Sequence, residues 1–229
     1  HLSLDTKLIF TANYSLVIVG AISFAIAEWN TALSNIPQTH NKVVASVFQS
    51  VSARTAGFAT IDYGDAHHST LFIWIGLMMI GGASASTAGG VKLATFGVVV
   101  LAIISTLRGQ SEPQVAGKRI PTPLVFRALT IIALFIIGHF LLTLALVITE
   151  DIVGRNDFAF LPLMFETMSG LATVGISTGI TPDLTTAGKL VLCVTMFIGR
   201  LGPLTAVYAL QRREVRQTYS YPEGYVRMG

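Results

Sequence analysis

Cysteine is almost missing from this chain: Cys193 stands alone among 229 residues. A disulfide within the chain and a cysteine-based metal site are therefore excluded. Cys193 lies in an apolar run and reads as a small packed residue. Charge is scarce too. Asp, Glu, Lys and Arg make up 12% of the residues, against roughly 25% in soluble domains. That composition excludes a disordered chain and a nucleic-acid-binding module, and it argues against an ordinary soluble enzyme. No Ser/His/Asp arrangement, metal-ligand spacing or phosphate-binding Gly-Lys loop is present, so chemical catalysis is not expected. Apolar residues fill the space that charge leaves, at 52% of the chain and a mean hydropathy of +0.66. A helical membrane protein is the expectation.

A helix needs about 20 apolar residues to cross a bilayer. Residues 8–27 and 128–149 carry no charge, and 190–211 carries only Arg200. The run 69–107 is interrupted by Lys92 and is too long for one straight crossing. It contains a stretch at 81–90 of glycine, alanine, serine and threonine that is expected to break it. Two shorter apolar stretches, 43–52 and 161–170, cannot span. They read as short helices that enter the membrane and return, with their backbone ends covered by protein or water. The first stretch lacks the basic cluster and small-residue cleavage site of a signal peptide. Because the chain opens at His1, a fragment or processed product is expected.

Nine Lys and Arg residues lie in the N-terminal segment, the middle linker and the tail: Lys7, Arg108, Lys118, Arg119, Arg127, Arg212, Arg213, Arg216 and Arg227. Four lie in the alternate connections: Lys42, Arg54, Arg155 and Lys189. The acidic residues Glu28, Asp62, Asp65, Glu150, Asp151, Asp157 and Asp183 share those connections. The positive-inside rule then places both termini and the linker in the cytoplasm, with the short stretches entering from outside.

The chain repeats itself once. Residues 48–58 resemble 165–176 with a one-residue gap, and Gly57 and Gly175 lie 118 positions apart. Residues 78–82 resemble 196–200 at the same offset of 118. Each unit reads as span, short helix, Thr-x-Gly, span. Both units point the same way, so they are parallel repeats related about an axis along the membrane normal.

Discriminating potassium from sodium requires carbonyl oxygens that replace the ion's water. Glycine supplies the backbone angles this needs, and a preceding helix aims its negative end at the cation. Thr55, Ala56 and Gly57, and Thr173, Val174 and Gly175, stand where such carbonyls would be. The other reading is a pair of glycine turns after buried helices. The repeat, the short helices and the flanking spans favour carbonyl ligands.

With these motifs the sequence resembles the Trk/Ktr/HKT superfamily of potassium transporters, and its KtrB-like branch in particular. The segment 52–58 matches the filter region of a third repeat and 172–179 that of a fourth. The segment 197–205 and the ending at 221–224 resemble the last helix and the C-terminus of that branch. The resemblance implies an all-α membrane protein with two parallel span–pore helix–filter–span repeats, half of a four-repeat potassium-channel-like pore. Residues 1–110 form the first pore repeat with its broken second span. Residues 111–124 form a cytoplasmic linker, 125–211 the second pore repeat, and 212–229 a cytoplasmic C-terminal tail. It implies potassium as the substrate, held by the backbone carbonyls of the six filter residues, and sodium as an activator. No cofactor in the chain itself is implied. It also implies that Gly81, Gly82, Gly89 and Gly90 shape an intramembrane gating loop. There this chain departs from the family, with Ala83 and Ser84 where relatives carry Ser-Pro. The implied partners are the N-terminal half of the pore, a second complete subunit, membrane lipid and a cytosolic KtrA-like nucleotide-binding ring. The implied location is a bacterial-type cytoplasmic membrane.

Charges inside spans usually face a cavity. Arg200 reads either as an anchor on the carbonyls of the broken helix or as a positive plug below the filter. Lys92 reads either as a lysine snorkelling to the inner surface or as a gating contact. Glu166, aligned with Gln49, is expected to bond to the filter backbone rather than to an ion. His139 is expected to hydrogen-bond a neighbouring helix, and His67 and His68 to be solvated. Asp62, Asp65 and Asp183 read either as cation-focusing charges at the outer mouth or as ordinary loop residues. Two further readings remain: a channel self-assembled from two copies of this chain, and a non-conducting membrane scaffold that docks a cytosolic regulatory partner.

Overall fold

The computed structural model describes residues 4–83, 86, 88–109, 113–115, 118–154 and 158–212. Ser84, Arg155, Asp157 and the tail from Arg213 onward, with its motif at 221–224, lie outside the described residues.

The chain is mostly helical, and the helices follow the apolar runs. The first unit holds α1 (Leu4–Glu28), α2 (Thr39–Ser52), α3 (His68–Met79) and α4 (Leu93–Leu107). The second holds α5 (Thr122–Thr149), α6 (Phe160–Leu171) and α7 (Thr186–Arg212). Prolines fall where a helix tolerates them. Pro123 and Pro162 occupy the first turns of α5 and α6, where the amide hydrogens have no helical partner. α1 and α5 are long and apolar enough to cross a membrane. They expose Ile18, Ile22 and Ile26, and Phe126, Ile137 and Phe140. An exterior this apolar suits lipid rather than water.

The long run 69–107 breaks as expected. α3 stops at Met79 and α4 starts at Leu93. Between them Ile80 and Val91 form a parallel bridge. The Gly81 amide donates to the Val91 carbonyl at 2.8 Å, and the Val91 amide to the Met79 carbonyl at 2.8 Å. Gly90, at φ +69°, makes the turn that lets the chain return. The result is a loop closed at its base, in which backbone pairing replaces the missing helical bonds.

One local element departs from an all-α expectation. Gln114–Val115 and Lys118–Arg119 pair as a short antiparallel hairpin. Pro113 and Pro121 bracket it, and proline removes the amide a continuing helix would need.

Two packing groups build the fold. α1 packs on α2, α3 and α4; α5 packs on α6 and α7; and both α3 against α6 and α4 against α5 join the two. The core lies at the α3–α6 junction. Phe24 meets Trp74 with ring centroids 5.0 Å apart, and Tyr63 meets Phe165 at 5.7 Å. Met78, Met168, Ala172, Val174 and Ile176 fill the space around them. The ends of α2 and α6 are thereby brought together.

Glu28 and Glu150, taken from the sequence as charges in an outer connection, are fully buried. The Glu28 carboxylate accepts from the His67 amide at 2.9 Å and from the Thr31 and Thr70 hydroxyls. The Glu150 carboxylate accepts from the Thr185 amide at 3.1 Å and the Thr185 hydroxyl at 2.8 Å. Glu28, at the end of α1, caps the start of α3, and Glu150, just after α5, caps the start of α7. Orphan amides and the positive helix end favour a carboxylate there. Cys193 is also corrected: it is exposed on α7 rather than packed.

Candidate functional site

The site grows from the ends of the two short helices. Beyond α2 the backbone turns left-handed at Thr55 (φ +68°) and Gly57 (φ +78°). Beyond α6 it does so at Thr173 (φ +55°) and Gly175 (φ +95°). Among the described residues these two threonines are the only non-glycine residues with positive φ. A β-branched residue in that region is strained and must be held by its surroundings. The same pattern at matching positions is the internal repeat expressed in backbone.

The holding contacts repeat as well. In the first unit the Ala56 and Gly57 amides donate to the Ser52 carbonyl at 3.0 and 3.3 Å. The Ser52 hydroxyl donates to the Phe58 carbonyl. In the second, the Val174 amide donates to the Ser169 carbonyl at 2.9 Å, and the Gly175 amide to Ser169 Oγ at 3.1 Å. One helical turn earlier, Gln49 donates to Thr60 Oγ1 at 2.8 Å and accepts from the Tyr63 hydroxyl at 2.9 Å. Burial pushes the Tyr63 phenol pKa up, so it stays a neutral donor. Glu166 accepts from the Thr178 amide at 2.7 Å, from Ser177 and Thr178 hydroxyls at 2.8 and 2.9 Å, and from Thr181 at 3.0 Å. The pairs Gln49–Thr60 and Glu166–Thr178 are equivalent. Glu166 thus braces the segment just after Thr173, Val174 and Gly175, rather than those three residues.

Glu166→Ala is expected to destabilise the protein by about 3 kcal/mol, because it strands a buried amide and three hydroxyls. Glu166→Gln, which keeps an acceptor, is expected to cost about 1 kcal/mol. Thermal unfolding in detergent checks the difference; equal shifts for both variants would mean that only the volume matters.

The two Thr-x-Gly segments face each other. A Cβ built on Gly175 lies 3.7 Å from the Gly57 Cα, and one built on Gly57 collides with the Val174 carbonyl oxygen. Ala56 and Gly175 are exposed, Val174 is buried, and Thr55, Gly57 and Thr173 lie between. Thr173, Val174 and Gly175 line a cavity of about 490 Å³ together with Glu166, Met196 and Arg200.

The glycine loop reaches the same place. Gly89 donates its amide to Thr173 Oγ1 at 2.8 Å. Arg54 Nη2 donates to the Gly81 carbonyl at 3.0 Å. The side chain of Arg54, assigned from charge placement to an outer connection, therefore reaches this loop. The Lys92 ammonium donates to the Ser86 and Ala88 carbonyls at 3.0 and 2.6 Å. The broken helix leaves those carbonyls without helical partners, and a nearby cation satisfies them. Arg200 is exposed on the cavity wall. Gly82 sits against Ser86 and Ala88. Among the described residues no cluster of His, Cys, Asp and Glu is arranged to hold a metal ion.

Farther out, Asp62 and Asp65 line a recess of about 400 Å³ with Thr31, Asn35 and Thr60. Asp62 accepts from the Gly64 amide at 2.8 Å. His67 donates its backbone amide to Glu28. His139 is buried on α5, and its ring nitrogens bond to no described residue. Sequence reasoning missed Arg54, Ser52 and Ser169. The offset between the repeats signals the two serines, and nothing in one sequence signals Arg54.

A family model described as "TrkH: Cation transport protein" matches residues 2–217. The chain belongs to the TrkH cation transport protein family. The Ktr system potassium uptake protein B of Bacillus subtilis (strain 168) is 40% identical over 99% of this chain and 50% of its own length. The potassium/sodium uptake protein NtpJ of Enterococcus hirae is 35% identical over 100% of this chain and 51% of its own. The crystal structure of the potassium transporter TrkH from Vibrio parahaemolyticus superimposes with a TM-score of 0.67 at 18% identity. That match covers 93% of this chain and 45% of the TrkH chain, and it shows a shared fold. The chain thus spans about half the length of the relatives it matches. These TrkH-family relatives are named as transporters, not enzymes.

Proposed function

We propose that this chain supplies two of the four walls of a potassium-selective pore. The observation that carries the reading is the meeting of Thr55-Ala56-Gly57 with Thr173-Val174-Gly175 in one backbone conformation, each at the end of a short helix. Left-handed residues at alternate positions turn successive carbonyls toward one side, the arrangement that strips water from a cation. The C-terminal ends of α2 and α6 add negative potential there. Potassium is the transported ion and sodium an activator; the potassium uptake named for the relatives supports the first.

In this reading the gate is the loop carrying Gly81, Gly82, Gly89, Gly90 and Lys92, with Arg200 as the positive barrier beside it. A cation leaving the filter meets two positive side chains, so the loop has to move before conduction. The remaining walls come from an N-terminal half, and the complete subunit pairs with a second. A KtrA-like nucleotide-binding ring docks on the cytoplasmic side, where both termini lie. The setting is a bacterial-type cytoplasmic membrane crossed several times.

Rubidium uptake into proteoliposomes tests this reading. The expected result is flux when the chain is combined with an N-terminal half from a close relative, and none from the chain alone. Flux from the chain alone would replace the half-pore with a ring made of its own copies. No flux in either case would leave the scaffold reading.

A further inference from the structure

The intramembrane loop is bonded at both of its arms, one to the residue just before the first Thr-x-Gly segment and one to the second segment itself. Its first arm is held at the Gly81 carbonyl by Arg54, the residue before Thr55. Its second arm is held at the Gly89 amide by the side chain of Thr173 itself. The contact at Gly89 is tight: a Cβ there would lie 2.6 Å from Thr173 Oγ1 and 2.7 Å from the Ala172 carbonyl oxygen. Only glycine lets the loop backbone come this close to the end of α6. Arg54 Nε and Nη1 are buried and bond to no described residue, so its bond to Gly81 is the one that orients the guanidinium. The two units differ at this point. The position matching Arg54 is Ala172, and the position matching Gly82 is Arg200. The first unit thus places its arginine on the shoulder of the filter segment, and the second places one on the span.

We propose that Arg54 and Thr173 are positioning residues that tie the loop to the two filter walls, so that loop position and filter shape change together. The inference rests on the conduction reading above and goes beyond it by naming the coupling. Thr173 does two jobs. Its backbone stands in the filter segment, in a left-handed conformation that a threonine does not hold unaided. Its hydroxyl oxygen accepts the amide of the loop. Withdrawing the loop removes one of the bonds that hold that conformation. By reciprocity, whatever steadies Thr173, including an ion on its carbonyl, steadies the closed loop.

The test uses the chain in its membrane assembly and two readouts: amide hydrogen exchange over residues 80–92, and resting rubidium uptake. Thr173→Val keeps the shape and the carbonyl but loses the acceptor. It is expected to speed exchange at Gly89 by about three- to tenfold, the loss of one hydrogen bond, and to raise resting uptake in step. Thr173→Ser keeps the acceptor and is expected to stay within about twofold of the unsubstituted protein. Arg54→Met is measured in parallel, in case Thr173→Val does not fold, and is expected to speed exchange at both arms while Arg54→Lys partly restores it. Unchanged exchange in folded Thr173→Val and Arg54→Met overturns the coupling, as does a Thr173→Ser that behaves like Thr173→Val. Exchange needs no transport, so the two readings separate. Faster exchange in an assembly that passes no rubidium keeps the tie and removes conduction, whereas flux with unchanged exchange does the reverse.

Discussion

Gly57→Ala is expected to cut potassium-selective uptake about a hundredfold, a loss about ten times that of Gly175→Ala. Both glycines have positive φ, +78° and +95°, where an L side chain costs about 1–2 kcal/mol. Their surroundings differ. At Gly175 the new methyl meets only the Gly57 Cα, at the ordinary contact distance of 3.7 Å. Strain alone then predicts about a tenfold loss, because each 1.4 kcal/mol is a factor of ten. At Gly57 the methyl runs into the Val174 carbonyl oxygen, which is backbone and has no rotamer to escape through. Either Gly57 or Val174 must shift, and one of the proposed ion ligands moves with it. The expected loss is about a hundredfold. Rubidium uptake measured against sodium competition, with protein level checked separately, reads both variants. Equal losses would show that the two segments do not touch as described, and no loss in either would remove the filter reading.

Glu28→Leu is expected to be among the most destabilising single changes in the chain. The buried carboxylate serves the His67 amide and the hydroxyls of Thr31 and Thr70. Leucine fills similar space but leaves those donors unpartnered at the start of α3. Each orphaned buried donor costs about 1–3 kcal/mol, so a total of about 4 kcal/mol is expected. For a chain of this size that is a fall in Tm of roughly 10 °C. Glu150→Leu removes the equivalent cap at Thr185 and is expected to cost about half as much. Glu28→Gln keeps an acceptor and should fall between the unsubstituted protein and Glu28→Leu. A shift under about 2 °C for Glu28→Leu would mean that water or another group satisfies the donors.

The helices were legible because their signal is local. The uncharged runs at 8–27 and 128–149 lie within α1 (Leu4–Glu28) and α5 (Thr122–Thr149), which start four and six residues earlier. The glycines at 81, 82, 89 and 90 announced the break between α3 and α4. The offset of 118 matched Gly57 with Gly175 as equivalent positions of the repeat. What stayed hidden was the destination of charged side chains. Glu28, Glu150 and Arg54 read as loop charges because charge in a connection is usually solvated. Each lies within reach of backbone groups from a segment distant in the chain: Glu28 at His67, Glu150 at Thr185, Arg54 at Gly81. Lys92 was left open for a related reason. A lysine near a helix end has two good solutions, the membrane surface or nearby carbonyls, and only the folded loop brings the carbonyls to it.

The sequence by itself determined the apolar helices, the broken run, the repeat and the family, because apolar length, glycine placement and periodic similarity act within one segment or between matched ones. The tertiary structure decided the rest: that the two Thr-x-Gly segments touch, that buried carboxylates cap α3 and α7, and that the glycine loop is bonded to Arg54 and Thr173. Those contacts form between residues dozens of positions apart. They depend on the junction where Tyr63 packs on Phe165 and α3 on α6, which sets the distance between the ends of α2 and α6. A hydrogen bond exists only within a few tenths of an ångström of its proper length, and it is the packing of the core that sets that distance.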